Sequence, residues 1–255
     1  MSAPLLRVQE LSKRFGGLLA VDSVSFDVDH GEICAVIGPN GAGKTTLFNL
    51  IAGQQSPNKG TVRLGEEDIT GLPDYTVAQR GVGRAFQLVH LFESMSVADN
   101  VLLGAEDHSR LRIASAATHL GGHRRRWEVT RASAEEALKL VGIKHLANRS
   151  IGSLSFGQQR LVGAARALAS RPRLVLLDEP AAGLSQSELD ALREAVIRVR
   201  SSRTSVLIVE HNVEFVLSLC EHVVVMNFGR KIAEGSPSEI RRSEAVVEAY
   251  LGRRH

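Results

Sequence analysis

Eight consecutive residues constrain this chain more than any other stretch. Gly38-Pro39-Asn40-Gly41-Ala42-Gly43-Lys44-Thr45 fills every fixed position of the pattern G-x-x-x-x-G-K-[ST]. It lies between a compact, mostly apolar run, Ile33 to Ile37, and a helix-like stretch, Thr45 to Ala52, closed by Gly53. A backbone that curls around a phosphate must aim several N–H groups inward, and glycine is needed wherever a Cβ would clash. The helix that follows adds its positive N-terminal dipole. Lys44 can reach β- and γ-phosphates, and the Thr45 hydroxyl can ligate Mg²⁺. The bland alternative is a chance match in a Gly-rich turn, which the flanking strand and helix argue against.

Such a loop needs a carboxylate to hold the metal, normally at the end of a neighbouring buried strand. Leu174-Val175-Leu176-Leu177-Asp178-Glu179 supplies an apolar strand ending in two acids. Asp178 is placed to bind Mg²⁺ through water, and Glu179 to polarise a water attacking the γ-phosphate. Lys44 and Asp178 are 134 positions apart, far more than one βαβ unit requires. Something of domain size must sit between them.

The pattern along the chain agrees. Leu6-Val8, Val24-Phe26-Val28 and Thr61-Leu64 read as strands. Phe92 to Arg171 is helix-forming and strand-poor. Within it, Glu106 to Thr130 lacks clear periodicity and reads as a loop or a ragged helix pair. Its Arg124-Arg125-Arg126 run reads as a solvated face, with an anionic membrane surface as the alternative. Strand signals return at Leu174–Leu177, Val206–Val209 and Val223–Met226. Between the first two, Leu189, Leu192, Val196 and Val199 recur at helical spacing, and Ser185 with Glu188 fits a capping box. Strands alternating with helices imply a parallel α/β sheet, with the helical middle as an insertion.

Composition narrows the function. Hydrophobic residues at 44% and charged residues at 23% argue against disorder, and a net charge of +3 over 255 residues is too weak a field to indicate nucleic acid. No apolar run approaches the ~18 residues that span a bilayer, and Met1 to Gln9 carries no secretory pattern. Cys34 and Cys220 form no CxxC pattern and read as small buried hydrophobes in a reducing compartment.

Further residues carry a family resemblance that covers nearly the whole chain. Leu154-Ser155-Phe156-Gly157-Gln158-Gln159-Arg160 resembles the LSGGQ signature of ABC ATPases. Gln87, in Arg84-Ala85-Phe86-Gln87, resembles the Q-loop glutamine, and His211, after Val209-Glu210, the switch histidine. Phe15 matches the aromatic that stacks on adenine. Taken alone, His211 is an ordinary strand-end histidine; its place in the ordered set of motifs gives it a role.

The resemblance implies an α/β P-loop NTPase core with a mostly parallel sheet, an N-terminal antiparallel β subdomain and an inserted helical subdomain. Residues 1–87 and 172–255 would form the core, and 88–171 the helical insertion carrying the signature. ATP would bind Phe15, the loop Gly38, Pro39, Asn40, Gly41, Ala42, Gly43, Lys44 and Thr45, and Thr46 after it. Mg²⁺ would be held by Thr45, Gln87 and Asp178. Glu179, His211, Gln87 and Lys44 would carry hydrolysis. Ser155, Gly157 and Gln158 would clamp the nucleotide of a second ATPase, head to tail, so that two ATP molecules are buried between two such domains. The sequence departs from the pattern at Phe156, where the family has glycine. It also departs in the D-loop, where Ala182 and Ser185 replace serine and aspartate, the residues of the usual cross-dimer contacts.

Beyond the shared motifs, the chain is similar to LivG-type ATP-binding subunits of branched-chain amino acid importers. The segments that carry this are Phe15-Gly16-Gly17-Leu18-Leu19-Ala20-Val21, Gly71-Leu72-Pro73, Leu91-Phe92, Met95-Ser96-Val97, Glu179-Pro180-Ala181-Ala182-Gly183-Leu184 and Ala249-Tyr250-Leu251-Gly252. The partners implied are two integral-membrane permeases, a second ABC ATPase (homodimer or heterodimer) and, indirectly, an extracytoplasmic substrate-binding protein, with no nucleic acid. The implied location is peripheral, on the cytoplasmic face of the inner membrane. An exporter or lipid-transport ATPase is the alternative, and a soluble non-transport ABC ATPase a more distant one. Leu88 to Val97, after Gln87, is the expected surface for gripping a permease helix.

Overall fold

The computed structural model describes residues 3–85, 91–105 and 120–251. Strands β1 (Leu6–Phe15), β2 (Leu18–Val28), β4 (Lys59–Leu64) and β5 (Glu67–Asp68) form an antiparallel sheet in the order β2-β1-β4-β5. β1 and β2 make a hairpin in which Phe15 pairs with Leu18 across Gly16-Gly17. A second sheet contains β3 (Ile33–Ile37), β6 (Val82–Ala85), β7 (Leu174–Asp178), β8 (Ser205–Glu210), β9 (His222–Asn227) and β10 (Arg230–Gly235). Its order is β10-β9-β3-β8-β7-β6, parallel except for β10, which runs antiparallel to β9 at one edge.

The uninterrupted apolar runs are explained by burial on both faces of this sheet. Ile33, Ala35, Ile37, Val175, Leu177, Val206 and Ile208 join one core, which includes Leu161, Val162 and Ala165 of α5 (Phe156–Leu168) and Leu192, Val196 and Val199 of α6 (Gln186–Ser201). The alternate residues Cys34, Val36, Leu174, Leu176, Leu207 and Val209 face the other way. They pack with Leu47, Phe48 and Ile51 of α1 (Lys44–Ile51) and with Leu6 and Val8 of the antiparallel sheet. Each such fully buried Leu, Ile or Phe contributes about 1.5–3 kcal/mol, so the middle of this sheet anchors the fold. Cys34 and Cys220 are free and buried, and burial pushes both thiols up, as expected of small hydrophobes.

Six further helices are α2 (Asp74–Gln79), α3 (Val97–Ala105), α4 (Leu120–Leu140), α7 (Val213–Leu217), α8 (Pro237–Arg242) and α9 (Glu244–Leu251). Residues 120–130 differ from the loop or ragged helix pair expected for Glu106 to Thr130. They belong to the continuous helix α4, with Gly121 and Gly122 in its first turn. The helix is held further along, where Ala134, Ala137, Leu138 and Val141 are buried in the same core as Val101 and Leu161. Residues 106–119, and the side chains of Arg124 to Arg126, lie outside the described residues. The sequence reading also passed over β6 and β10. β6 is four residues long with a glycine and an arginine inside it, and β10 is a charged edge strand.

Among the described residues no helix is long and apolar enough to cross a membrane.

Candidate functional site

The order of the parallel sheet assembles the site. β3, β8 and β7 are adjacent and point the same way. The glycine loop, His211 and Asp178-Glu179 follow their C-terminal ends, where ligands bind in open α/β sheets.

The loop Gly38–Thr45 is built as its composition requires. Gly38 and Gly43 have φ of +155° and +96°, and a Cβ on either would stand 2.2 Å from a backbone oxygen, of Met226 or Ala20 respectively. Lys44 is buried and folds back over the loop, its Nζ donating to the carbonyls of Gly38 at 2.7 Å and Pro39 at 3.0 Å. Burial pulls its pKa down, while the charges of Glu179, Glu210 and Asp178 oppose that fall. A buried ammonium held by two backbone carbonyls and offset by three carboxylates has the chemistry that a phosphate-binding cation needs. Thr45 is exposed at the start of α1, and Thr46 is half-buried.

Asp178 ends β7 with 5% of its surface exposed. Its Oδ2 accepts from Arg84 Nη2 at 3.1 Å. Burial raises the Asp178 pKa, and Arg84 works against that rise. Arg84 sits on β6, also donates to Asn49 Oδ1 at 3.0 Å and to Gln54 Oε1, and lies 5.5 Å from the Phe48 ring centre. One guanidinium therefore joins the glycine-loop helix, the acid that ends β7 and the strand leading toward Gln87. Gln87 itself lies outside the described residues. A threonine hydroxyl and a buried carboxylate are hard oxygen donors, a set that fits Mg²⁺.

Glu179 has φ of +48°, a left-handed backbone that favours glycine. The bend directs the chain off the strand end; the Glu179 N–H still donates to Val209 at 2.8 Å, and its carbonyl accepts from Arg160 Nη1 at 2.6 Å. Arg160 also donates to the Pro180 carbonyl at 2.8 Å. His211 is half-exposed beyond β8, its Nδ1 3.8 Å from Glu210 Oε2. Glu210 is fully buried.

The signature residues are placed differently. Ser155 caps α5, accepting from the Gln158 N–H at 3.2 Å while Gln158 Oε1 accepts from the Ser155 N–H at 3.0 Å. The Ser155 hydroxyl and the Gly157 N–H both donate to Glu188 Oε1, at 2.8 and 3.2 Å. The other oxygen of Glu188 accepts from the Ser185 N–H and hydroxyl, at 3.0 and 2.9 Å. The expected capping pair at the head of α6 is thus present and has a second role. These four bonds, led by that from the Ser185 N–H, hold the Glu188 carboxyl below its ordinary range. Phe156 is 58% exposed, and the Arg160 guanidinium stacks 4.7 Å from its ring centre. Phe15 is half-exposed at the tip of the β1–β2 hairpin, with Lys13 Nζ 5.2 Å from its ring centre.

Sequence reading therefore names the loop, Asp178, Glu179 and His211 in adjacent places. It misses Arg84, Arg160, Glu188 and Glu210 as site residues. Of these, Glu210 left a signal, since it ends an apolar strand just as Asp178 does.

Comparison with known proteins agrees with this geometry. A family model described as "ABC transporter" matches residues 21–182, and one described as "Branched-chain amino acid ATP-binding cassette transporter" matches residues 230–255. The chain is 42% identical to the high-affinity branched-chain amino acid transport ATP-binding protein BraF of Pseudomonas aeruginosa, over 99% of each chain. It is 40% identical to LivG of Salmonella typhimurium, over the same shares. Its fold is similar to the ADP conformation of MJ1267, an ATP-binding cassette of an ABC transporter, with a TM-score of 0.85 and 31% identity over 99% of this chain and 100% of that one.

Proposed function

This chain belongs to the ATP-binding subunits of ABC transporters, and from that premise we propose that it hydrolyses ATP to power uptake of branched-chain or closely related amino acids. The observation that carries the reading is similarity from end to end, including a C-terminal segment matched by a branched-chain-specific family model. The amino acid passes through two partner permeases, a reading supported by the likeness to transport ATP-binding proteins. A second ABC ATPase completes the nucleotide sandwich, an external binding protein delivers the substrate, and the chain works at the cytoplasmic face of the inner membrane.

The residues divide the work. Phe15 stacks on adenine. The N–H groups of Gly38 to Thr45, with Asn40, Thr46 and Lys44, bind the phosphates. Thr45, Gln87 and Asp178 hold Mg²⁺, which when bound neutralises charge on the phosphate oxygens. Glu179 orients the attacking water and takes its proton, and His211 donates to the γ-phosphate. Ser155, Gly157 and Gln158 clamp the partner's nucleotide. Residues 88–171 act as a helical unit that moves against the core of 1–87 and 172–255. The segment Leu88–Val97 meets the permease. In its described part, buried Asn100 pins Phe92 through bonds of 2.8 and 3.1 Å, leaving the Phe92 ring half-exposed.

Glu179→Gln tests the reading. Loss of this one group should lower ATP turnover by about 10²–10³-fold while ATP still binds. Cells carrying that substitution should lose uptake of labelled leucine, isoleucine and valine at low concentration. Turnover equal to wild type would remove the role of Glu179, and unchanged uptake would remove the importer.

A further inference from the structure

Glu210 is the one fully buried carboxylate among the described residues to which the mechanism above gives no part. Its two oxygens are divided between two loops. Oε1 accepts from the Ala181 N–H at 2.7 Å, in the loop after β7. Oε2 accepts from the N–H groups of His211 and Asn212, at 3.0 and 3.2 Å, in the loop after β8. The first loop carries Glu179 two residues earlier, and the second carries His211 itself.

The β7–β8 ladder ends at Asp178 and Val209, followed by the bond from the Glu179 N–H to Val209. Past that point the carboxylate of Glu210 continues the link. Two cations act on its charge, Lys44 from the glycine loop and Arg160 from the signature helix. Arg160 in turn holds the carbonyls of Glu179 and Pro180, immediately before Ala181. A buried carboxylate satisfied by three backbone N–H groups is a rigid bracket, because its acceptor directions are fixed and no water competes.

We propose that Glu210 is a positioning residue for ATP hydrolysis, locking the loop that carries His211 to the loop that follows Glu179. It touches neither water nor phosphate; it sets the distance between two groups that do. Misplacement by about 1 Å can cost roughly 10²-fold in rate. The inference rests on the ATP-hydrolysis reading above.

The test is Glu210→Gln in the full chain. Glutamine has one acceptor oxygen and sets an NH₂ group against the N–H donors of the other loop. Turnover should fall about 10–100-fold. The affinity for a fluorescent ATP analogue, measured without turnover, should change less than about three-fold, because the glycine loop is untouched. In a His211→Ala background the same change should cost less than about two-fold more, since Glu210 acts through that loop. Glu210→Asp keeps the charge but is one methylene too short to hold both loops. It should show the same split if the glutamine variant fails to fold. A merely structural role predicts lowered thermal stability and ATP affinity, unchanged turnover per bound ATP, and effects additive with His211→Ala. That result overturns the inference and leaves the ATPase reading intact. A wild-type chain that binds ATP without hydrolysing it, when assembled with its partner ATPase and permeases, overturns both.

Discussion

Two neighbouring strands end in a buried acid, and the two acids are neutralised in different ways. β7 ends in Asp178, compensated by the side chain of Arg84. β8 ends in Glu210, compensated by the backbone N–H groups of Ala181, His211 and Asn212. The strands pair in parallel, and an apolar run precedes the acid in each. The partner decides the role. A side-chain cation can yield to another cation, so Asp178 suits a metal. Backbone donors cannot leave without the chain moving, so Glu210 suits a bracket.

Asp178→Asn is the sharpest way to break that contrast. It should lower ATP turnover about 10²–10³-fold. The dependence of turnover and nucleotide binding on Mg²⁺ concentration should also flatten. A Mg²⁺ titration superimposable on wild type would mean that Asp178 does not hold the metal.

Arg84→Met is next. With the Asp178 side chain 3% exposed, removing its cation leaves an almost fully buried charge unpaired. The nucleotide-free protein should lose about 3–5 kcal/mol of stability in urea denaturation. Part of that loss should return when Mg²⁺ and ATP are added, because the metal takes over as counter-charge. An equal loss with and without Mg²⁺ would make Arg84 a packing residue only.

Glu188→Gln gives the smallest effect and serves as the partly exposed reference. Loss of its bonds at the head of α6 should cost about 1 kcal/mol. The pH sign follows from the lowered carboxyl. Its contribution is present above the ordinary value of 4.5 and is lost as the pH falls through the depressed folded value. Denaturation midpoints of wild type and variant should therefore converge in acid. Curves that stay parallel there would assign the effect to shape rather than charge.

These acids also mark how far the sequence can be read. The glycine loop is legible because phosphate binding fixes residue types at fixed spacings within eight positions. Asp178-Glu179 is legible because four apolar residues precede it and the loop demands a carboxylate. Glu210 has the same apolar prelude, yet its role comes from Ala181, 29 positions away, brought close by strand pairing. Arg84 reads only as a neighbour of Gln87 until β6 lies beside β7. The same limit explains the missed strands. β6 is a strand because it completes the sheet edge next to β7, not because Val82-Gly83-Arg84-Ala85 alternates.

The Glu188 carboxylate on Ser155 and Gly157 alters what binding at the signature means. A serine hydroxyl has one proton, and in this chain it already points at an anion. A phosphate arriving there does not fill a vacancy. On the reading proposed above it would enter by exchange, its affinity being the difference between two anions competing for the same donors. Free phosphate, with no other hold, gains little from such a trade. A phosphate presented on a nucleotide anchored elsewhere brings the surplus that makes the exchange run forward. If the signature takes the partner's nucleotide as proposed above, the cap of a single helix would favour a delivered anion over a dissolved one.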